Sequence, residues 1–233
     1  MKKHLSFTVP LTRSETVYGI CWMVISQLIL PSILSAGNAL LAQPISYGKL
    51  NFLYFALNFA AVVWIFRRFL SQSGKIALGR PFPVIWYAIL GYLGSQVLLQ
   101  FLSYLIFALS PEFSNANDQA VMDLLGQDRT LIAIGTVLLV PVAEEALYRG
   151  VVFRGLYDKS PLGAYLVSMF LFAAVHVISY IGVYSPLELV LALAQYLPYG
   201  YCLCWCYRQT GTIITPMLMH AMVNAMSIYY ALR

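Results

Sequence analysis

Three short runs place ionisable or amide side chains inside stretches otherwise built from aliphatic and aromatic residues. They are Glu144, Glu145 and Arg149 in LLVPVAEEALYRGVVFRG, His176 in MFLFAAVHVISYIG, and His220 with Asn224 in ITPMLMHAMVNAMSIYY. The chain has three histidines, and two of them fall in these runs. An ionisable side chain at the centre of a membrane helix costs on the order of 2.5–3.5 kcal/mol on insertion scales, so such residues are either paired or used. Residues four apart stack on one helical face. Glu145 and Arg149 have that spacing, and an ion pair between them would neutralise one carboxylate. Glu144, about 100° further round a helix of 3.6 residues per turn, is then free to face the bundle. Phe172 with His176, and His220 with Asn224, also share faces. Attack on an amide needs a base for the water proton, an acid for the leaving nitrogen and donors aimed at the developing oxyanion. One unpaired carboxylate, two imidazoles and a carboxamide supply all three. Phe172 itself, the methionines around His220 and the many tyrosines read as packing.

The elements that must position these groups follow from composition. Of 233 residues, 61% are hydrophobic and 10% charged, whereas soluble domains carry about 25% charged residues. This is an all-α integral membrane protein, and a disordered chain, a disulfide scaffold, a coiled coil and a soluble two-domain enzyme are excluded. A net charge of +5 is spread among apolar runs with no stripe to follow a phosphate backbone, so nucleic acid is not a partner. Seven stretches approach the roughly 20 apolar residues that a helix needs to cross a bilayer: about 16–42, 50–66, 83–109, 130–157, 161–182, 186–207 and 212–232. The first contains Pro31 and Gly37 and could be kinked or split, giving seven or eight crossings of one polytopic domain, 1–233, around a polar intramembrane cavity. Behind Arg13 it reads as an anchor rather than a cleaved signal peptide. Thr12 with Glu15, and Ser185 with Glu188, have capping-box spacing; Pro161 and Pro186 suit first helical positions.

Placing the N-terminus in the cytoplasm puts Lys2, Lys3, Arg13, Arg67, Arg68, Lys75, Arg80, Arg149, Arg154, Lys159 and Arg208 on the inner side. Only Lys49, Arg129 and Arg233 fall on the other, as the positive-inside rule requires. The outer segment with Glu112, Asp118, Asp123 and Asp128 around Asn115 and Asn117 reads as a solvated loop. Cys202, Cys204 and Cys206 alternate on one helix and diverge around it, which favours neither a disulfide nor a metal clip. Helical rise places Glu144 and His220 within reach of each other. His176, about 22 Å from Pro161, joins them if that helix tilts or begins with an interfacial turn; the interfacial turn is expected, with membrane entry near Tyr165. The expected cavity opens to the cytoplasmic side.

At these residues the sequence resembles the CAAX protease and bacteriocin-processing family of intramembrane glutamic endopeptidases, which includes the type II prenyl proteases. That family is marked by Glu-Glu-x-x-x-Arg, then Phe-x-x-x-His, then His-x-x-x-Asn on successive membrane helices. Here these are Glu144 to Arg149, Phe172 to His176 and His220 to Asn224. Thr210-Gly211-Thr212 to Pro216 is also similar to family usage. The resemblance covers about 130–232, the catalytic core; 1–129 match only as generic N-terminal membrane helices. It implies peptide hydrolysis in the membrane by glutamate- and histidine-activated water, with no cofactor and no metal. By position, Glu144 would be the base, His176 would hold the water, His220 and Asn224 would form the oxyanion hole, and Glu145 with Arg149 would order the site. The substrate would be a membrane-embedded or lipid-anchored peptide with a prenylated carboxyl terminus as one form, and the location the plasma membrane of a bacterial host.

Three other readings use the same residues. A zinc hydrolase could take Glu144, His176 and His220 as ligands, although His-Glu-x-x-His spacing is lacking. A proton-coupled transporter could use them as a relay, although inverted repeats are not seen. A non-catalytic scaffold or bacteriocin self-immunity factor could bind a partner in the same cavity.

Overall fold

The structure is a computed structural model that describes residues 7–233. Among these residues eight helices follow one another: α1 (Arg13–Ala39), α2 (Tyr47–Ile65), α3 (Arg67–Gly79), α4 (Pro81–Leu109), α5 (Ala116–Tyr157), α6 (Pro161–Tyr180), α7 (Pro186–Thr210) and α8 (Ile214–Ala231). Six of them, α1, α2 and α4 to α7, are long and apolar enough to cross a membrane. α8 is 18 residues long and is diluted by His220 and Asn224. The protein is an all-α transmembrane bundle.

α1 is one continuous helix rather than two. Pro31 has no N–H to give to the preceding turn, and the backbone absorbs the loss in a π-helical turn over Ile25–Ile29. The segment after Phe66 is a helix of its own, α3, because Phe69, Ser73 and Ala77 recur at a spacing of four and bury one face while the basic residues take the other. The acidic segment expected as a solvated loop is also a correction. It is helical from Ala116, capped by Asn115, whose Oδ1 accepts from Asn117 N at 3.0 Å. A kink at Asp128 joins it to the membrane helix. That kink is held by the start of α2, where Ser46 Oγ donates to Asp128 Oδ2 at 2.6 Å and Gly48 N donates to Gln127 Oε1 at 3.1 Å. A carboxylate at a helix N-terminus meets the positive end of the backbone dipole.

The bundle has two chemically distinct ends. At the basic end, Glu15 completes its capping box with Thr12, pairs with Arg68 at 2.6 Å and accepts from Phe69 N. Thr8 donates to the carbonyl of Gly211, Thr212 Oγ1 to that of Ser73, and Arg208 Nε to the hydroxyl of Tyr157. At the acidic end, Asn115 Nδ2 donates to Gln195 Oε1 at 2.6 Å, Tyr180 OH reaches Ala116 O, and Ser185 with Glu188 caps α7. Lys2 and Lys3 lie outside the described residues. Close packing between the ends depends on small residues: a Cβ on Gly91 of α4 would collide with Cys206 Sγ of α7 and sit 2.8 Å from Met219 Sδ of α8. The four cysteines are free, with Cys202, Cys204 and Cys206 buried.

Candidate active site

α5 carries the two glutamates between two irregular stretches, a π-helical turn at Gly135–Leu139 and a longer one at Ala146–Phe153. Pro141, lacking an N–H, sits just beyond the first. Widened turns of this kind re-aim neighbouring side chains and recur at functional sites. Here Glu145 turns into the packed interior and Glu144 toward a cavity.

Glu145 and Arg149 are both fully buried and pair at 3.0 Å. Arg149 therefore does not belong with the exposed basic residues of the basic end. Its Nη2 also donates to the carbonyl of Gly200 at 3.3 Å, and its guanidinium lies 4.3 Å from the centre of the Phe172 ring. The same oxygen of Glu145 lies 2.9 Å from His220 Nδ1. A carboxylate can only accept, so Nδ1 carries the proton and Nε2 is directed to the cavity. His176 is oriented by its own helix: Nδ1 donates to Phe172 O at 2.7 Å, and the ring stacks on Tyr196 with centroids 4.3 Å apart. Asn224 Nδ2 donates to the carbonyl of Thr136 at 2.7 Å, in the first π-helical turn, which leaves its second N–H available. Glu144 is half-buried, and its Oε2 is buried without any hydrogen-bond partner.

Glu144, Phe172, His176, His220 and Asn224 all line one cavity of about 570 Å³, within the range of small-molecule and peptide pockets. Phe172 does pack, as expected, but at the centre of the site, edge-on to His220 and to Tyr148 and beneath Arg149. Among the described residues, no three His, Cys, Asp or Glu side chains group closely enough to hold a metal ion.

The cavity differs from expectation in which end of the bundle it reaches. Its wall continues through Asn115, Asn117, Asp118, Gln195 and Tyr230, all at the acidic end, and includes none of the basic-end residues. α6 accordingly needs no interfacial turn. It is regular from Pro161, capped by Ser160, and delivers His176 in its last α-helical turn, far from the basic end. The sequence reading takes Asn115, Asn117 and Asp118 for a solvated loop and Tyr196 for packing, and gives Gln195 no role. The capping asparagine and the 3.6-residue rhythm after Ala116 were the available signals for the helix, and only the kink at Asp128 turns that helix toward the site.

Residues 126–226, which include every one of these motif positions, match the family of type II CAAX prenyl endopeptidases, Rce1-like. Over this segment the chain is similar to the CAAX protease family, and the match supports a membrane protease. A protein of Bacillus subtilis (strain 168) named "Putative membrane peptidase YdiL" is 28% identical over 158 residues, covering 66% of this chain and 57% of the relative. No solved structure matches. Within the matched segment, Glu144, Phe172, His176, His220 and Asn224 line the cavity, while Glu145 and Arg149 are buried beside it.

Proposed function

We propose that this chain is an endopeptidase of the CAAX protease family that cleaves a membrane-associated peptide with water activated by Glu144 and His176. The observation that carries the reading is the division of labour between adjacent carboxylates: Glu145 is held in the packed interior by Arg149 and His220 through one oxygen, while Glu144 has no ion pair among the described residues and lines the cavity. His176, protonated on Nδ1, presents the Nε2 lone pair and accepts a hydrogen bond from the water. Glu144 takes the water's other proton as its oxygen attacks the scissile carbonyl carbon. The oxyanion is received by Asn224 through its free N–H and by the protonated form of His220 through Nε2–H, with Glu145 balancing the imidazolium charge. As the C–N bond breaks, Glu144 returns the proton to the leaving nitrogen. The substrate is a membrane-embedded or lipid-anchored peptide, for which a prenylated carboxyl terminus is the form suggested by the family.

Glu144→Gln tests this, because glutamine keeps the shape and cannot act as a base. Comparing the membrane proteome of cells with each form should show substrates cleaved only by the unaltered protein, at equal expression. A phenotype that survives the substitution would favour a scaffold or immunity role. Cleavage by purified protein that stops with a chelator and returns with zinc would replace the glutamate–histidine mechanism by a metal-dependent one.

A further inference from the structure

The cavity holds a second polar cluster that the hydrolytic scheme does not use. Asp118, in the first turn of α5, lines it together with Asn115, Asn117, Gln195 and Tyr196. The Asp118 carboxylate is open to the cavity and engaged by no hydrogen bond or ion pair among the described residues, yet it lies within electrostatic reach of His176. Tyr196, only 9% exposed, turns its hydroxyl toward Asn115 and Asn117 without completing a hydrogen bond. Two carboxylates, Glu144 and Asp118, thus share a cavity wall that includes no Lys or Arg. The guanidinium of Arg149, over the Phe172 ring, is engaged by Glu145 and the carbonyl of Gly200. Apolar walls around unbalanced charge focus the field and raise the local concentration of the opposite charge.

We propose that Asp118, with the Asn117 amide and the Tyr196 hydroxyl as neutral acceptors, forms a subsite for a positively charged side chain of the substrate, Lys or Arg, next to the scissile bond. The inference rests on the hydrolytic reading only for the words "scissile bond"; binding of the cation does not. Asp118 is accessible to water, so the discrimination it gives is smaller than that of a sealed polar pocket, about tenfold or somewhat more between Lys and an apolar side chain of similar length.

The test uses the full chain in lipid nanodiscs, where both membrane faces are accessible, and a pool of short N-palmitoylated peptides randomised over Lys, Leu, Glu and Ser. Products are sequenced by mass spectrometry. The unaltered protein should yield products enriched about tenfold in Lys over Leu at one fixed distance from the cut. Asp118→Asn should erase that enrichment while Leu-containing peptides are still cut. In parallel, Glu144→Gln nanodiscs are used to retain uncut peptides, which should be Lys-enriched, and Glu144→Gln with Asp118→Asn should lose the enrichment. Cleavage without Lys preference, or with a preference that Asp118→Asn leaves intact, overturns the subsite and spares the hydrolytic reading. So does a uniform fall for all peptides with an altered pH profile, which would make Asp118 a positioning residue for His176. No cleavage, with Asp118-dependent retention of Lys peptides, overturns the hydrolytic reading and keeps the subsite; no cleavage and no selective retention overturns both.

Discussion

Glu145→Gln isolates the energetics at the heart of the site without requiring a known substrate. The substitution removes a charge and leaves the volume, so the fully buried Arg149 loses its counter-charge and keeps only neutral partners such as the Gly200 carbonyl and the Phe172 ring. Breaking a buried ion pair from one side costs about 3–5 kcal/mol, because the remaining charge stays out of water uncompensated. For a chain of this size each kcal/mol is worth about 2–4 °C in thermal midpoint, so unfolding in nanodiscs should move down by about 6–20 °C. The companion variant, Glu145→Gln with Arg149→Met, removes the orphaned charge, and an apolar replacement of a buried pair is often neutral or stabilising. It should recover most of the lost midpoint. Activity should not recover with it, because His220 has lost the carboxylate that holds Nδ1 and offsets its imidazolium. The readout is intrinsic tryptophan fluorescence on heating, beside cleavage of whichever substrate the proteome comparison supplies. A single variant within about 2 °C of the parent, or a double variant no more stable than the single, would refute the ion-pair reasoning.

Three further outcomes follow from other parts of the structure. Asn224→Ala should lower cleavage by about 10²–10³-fold through loss of an oxyanion donor, while loss of its bond to Thr136 O costs stability only about 0.6–2 kcal/mol; cleavage kinetics and thermal midpoints separate the two. Gly91→Ala should destabilise by about 1–3 kcal/mol through the collision with Cys206 Sγ, and adding Cys206→Ala should relieve it, as read by paired thermal melts. If the basic end faces the cytoplasm, the cavity opens on the opposite side: in a Cys21→Ser background, Ser114→Cys should react with an impermeant maleimide on intact cells and Lys159→Cys only after permeabilisation. The reverse pattern would invert the orientation.

Much of the fold was legible because a bilayer leaves few choices. Every backbone N–H and C=O in hydrocarbon must be satisfied within its own segment, so long apolar runs must be helices, and α1, α2 and α4 to α8 lie close to the ranges that composition marks. The amphipathic α3 and the first turns of α5 were not read, because polar residues in short segments look like loops until a neighbour covers one face. For α3 that neighbour includes Glu15, and for the start of α5 it is α7 and the end of α6, through Gln195 and Tyr180.

The sequence by itself determined which residues could do chemistry and, through spacing on a helix, that Arg149 would claim Glu145 and leave Glu144 unpaired. Such pairs lie within one turn of a single element and need nothing else to meet. Only the tertiary structure decided that Glu145 also holds His220, seventy-five positions away, that Asn224 bonds a carbonyl freed by a π-helical turn, and that the cavity reaches Asp118 at the acidic end. Those meetings depend on kinks and helix tilts, which arise from packing between segments and leave no periodic mark in any one of them.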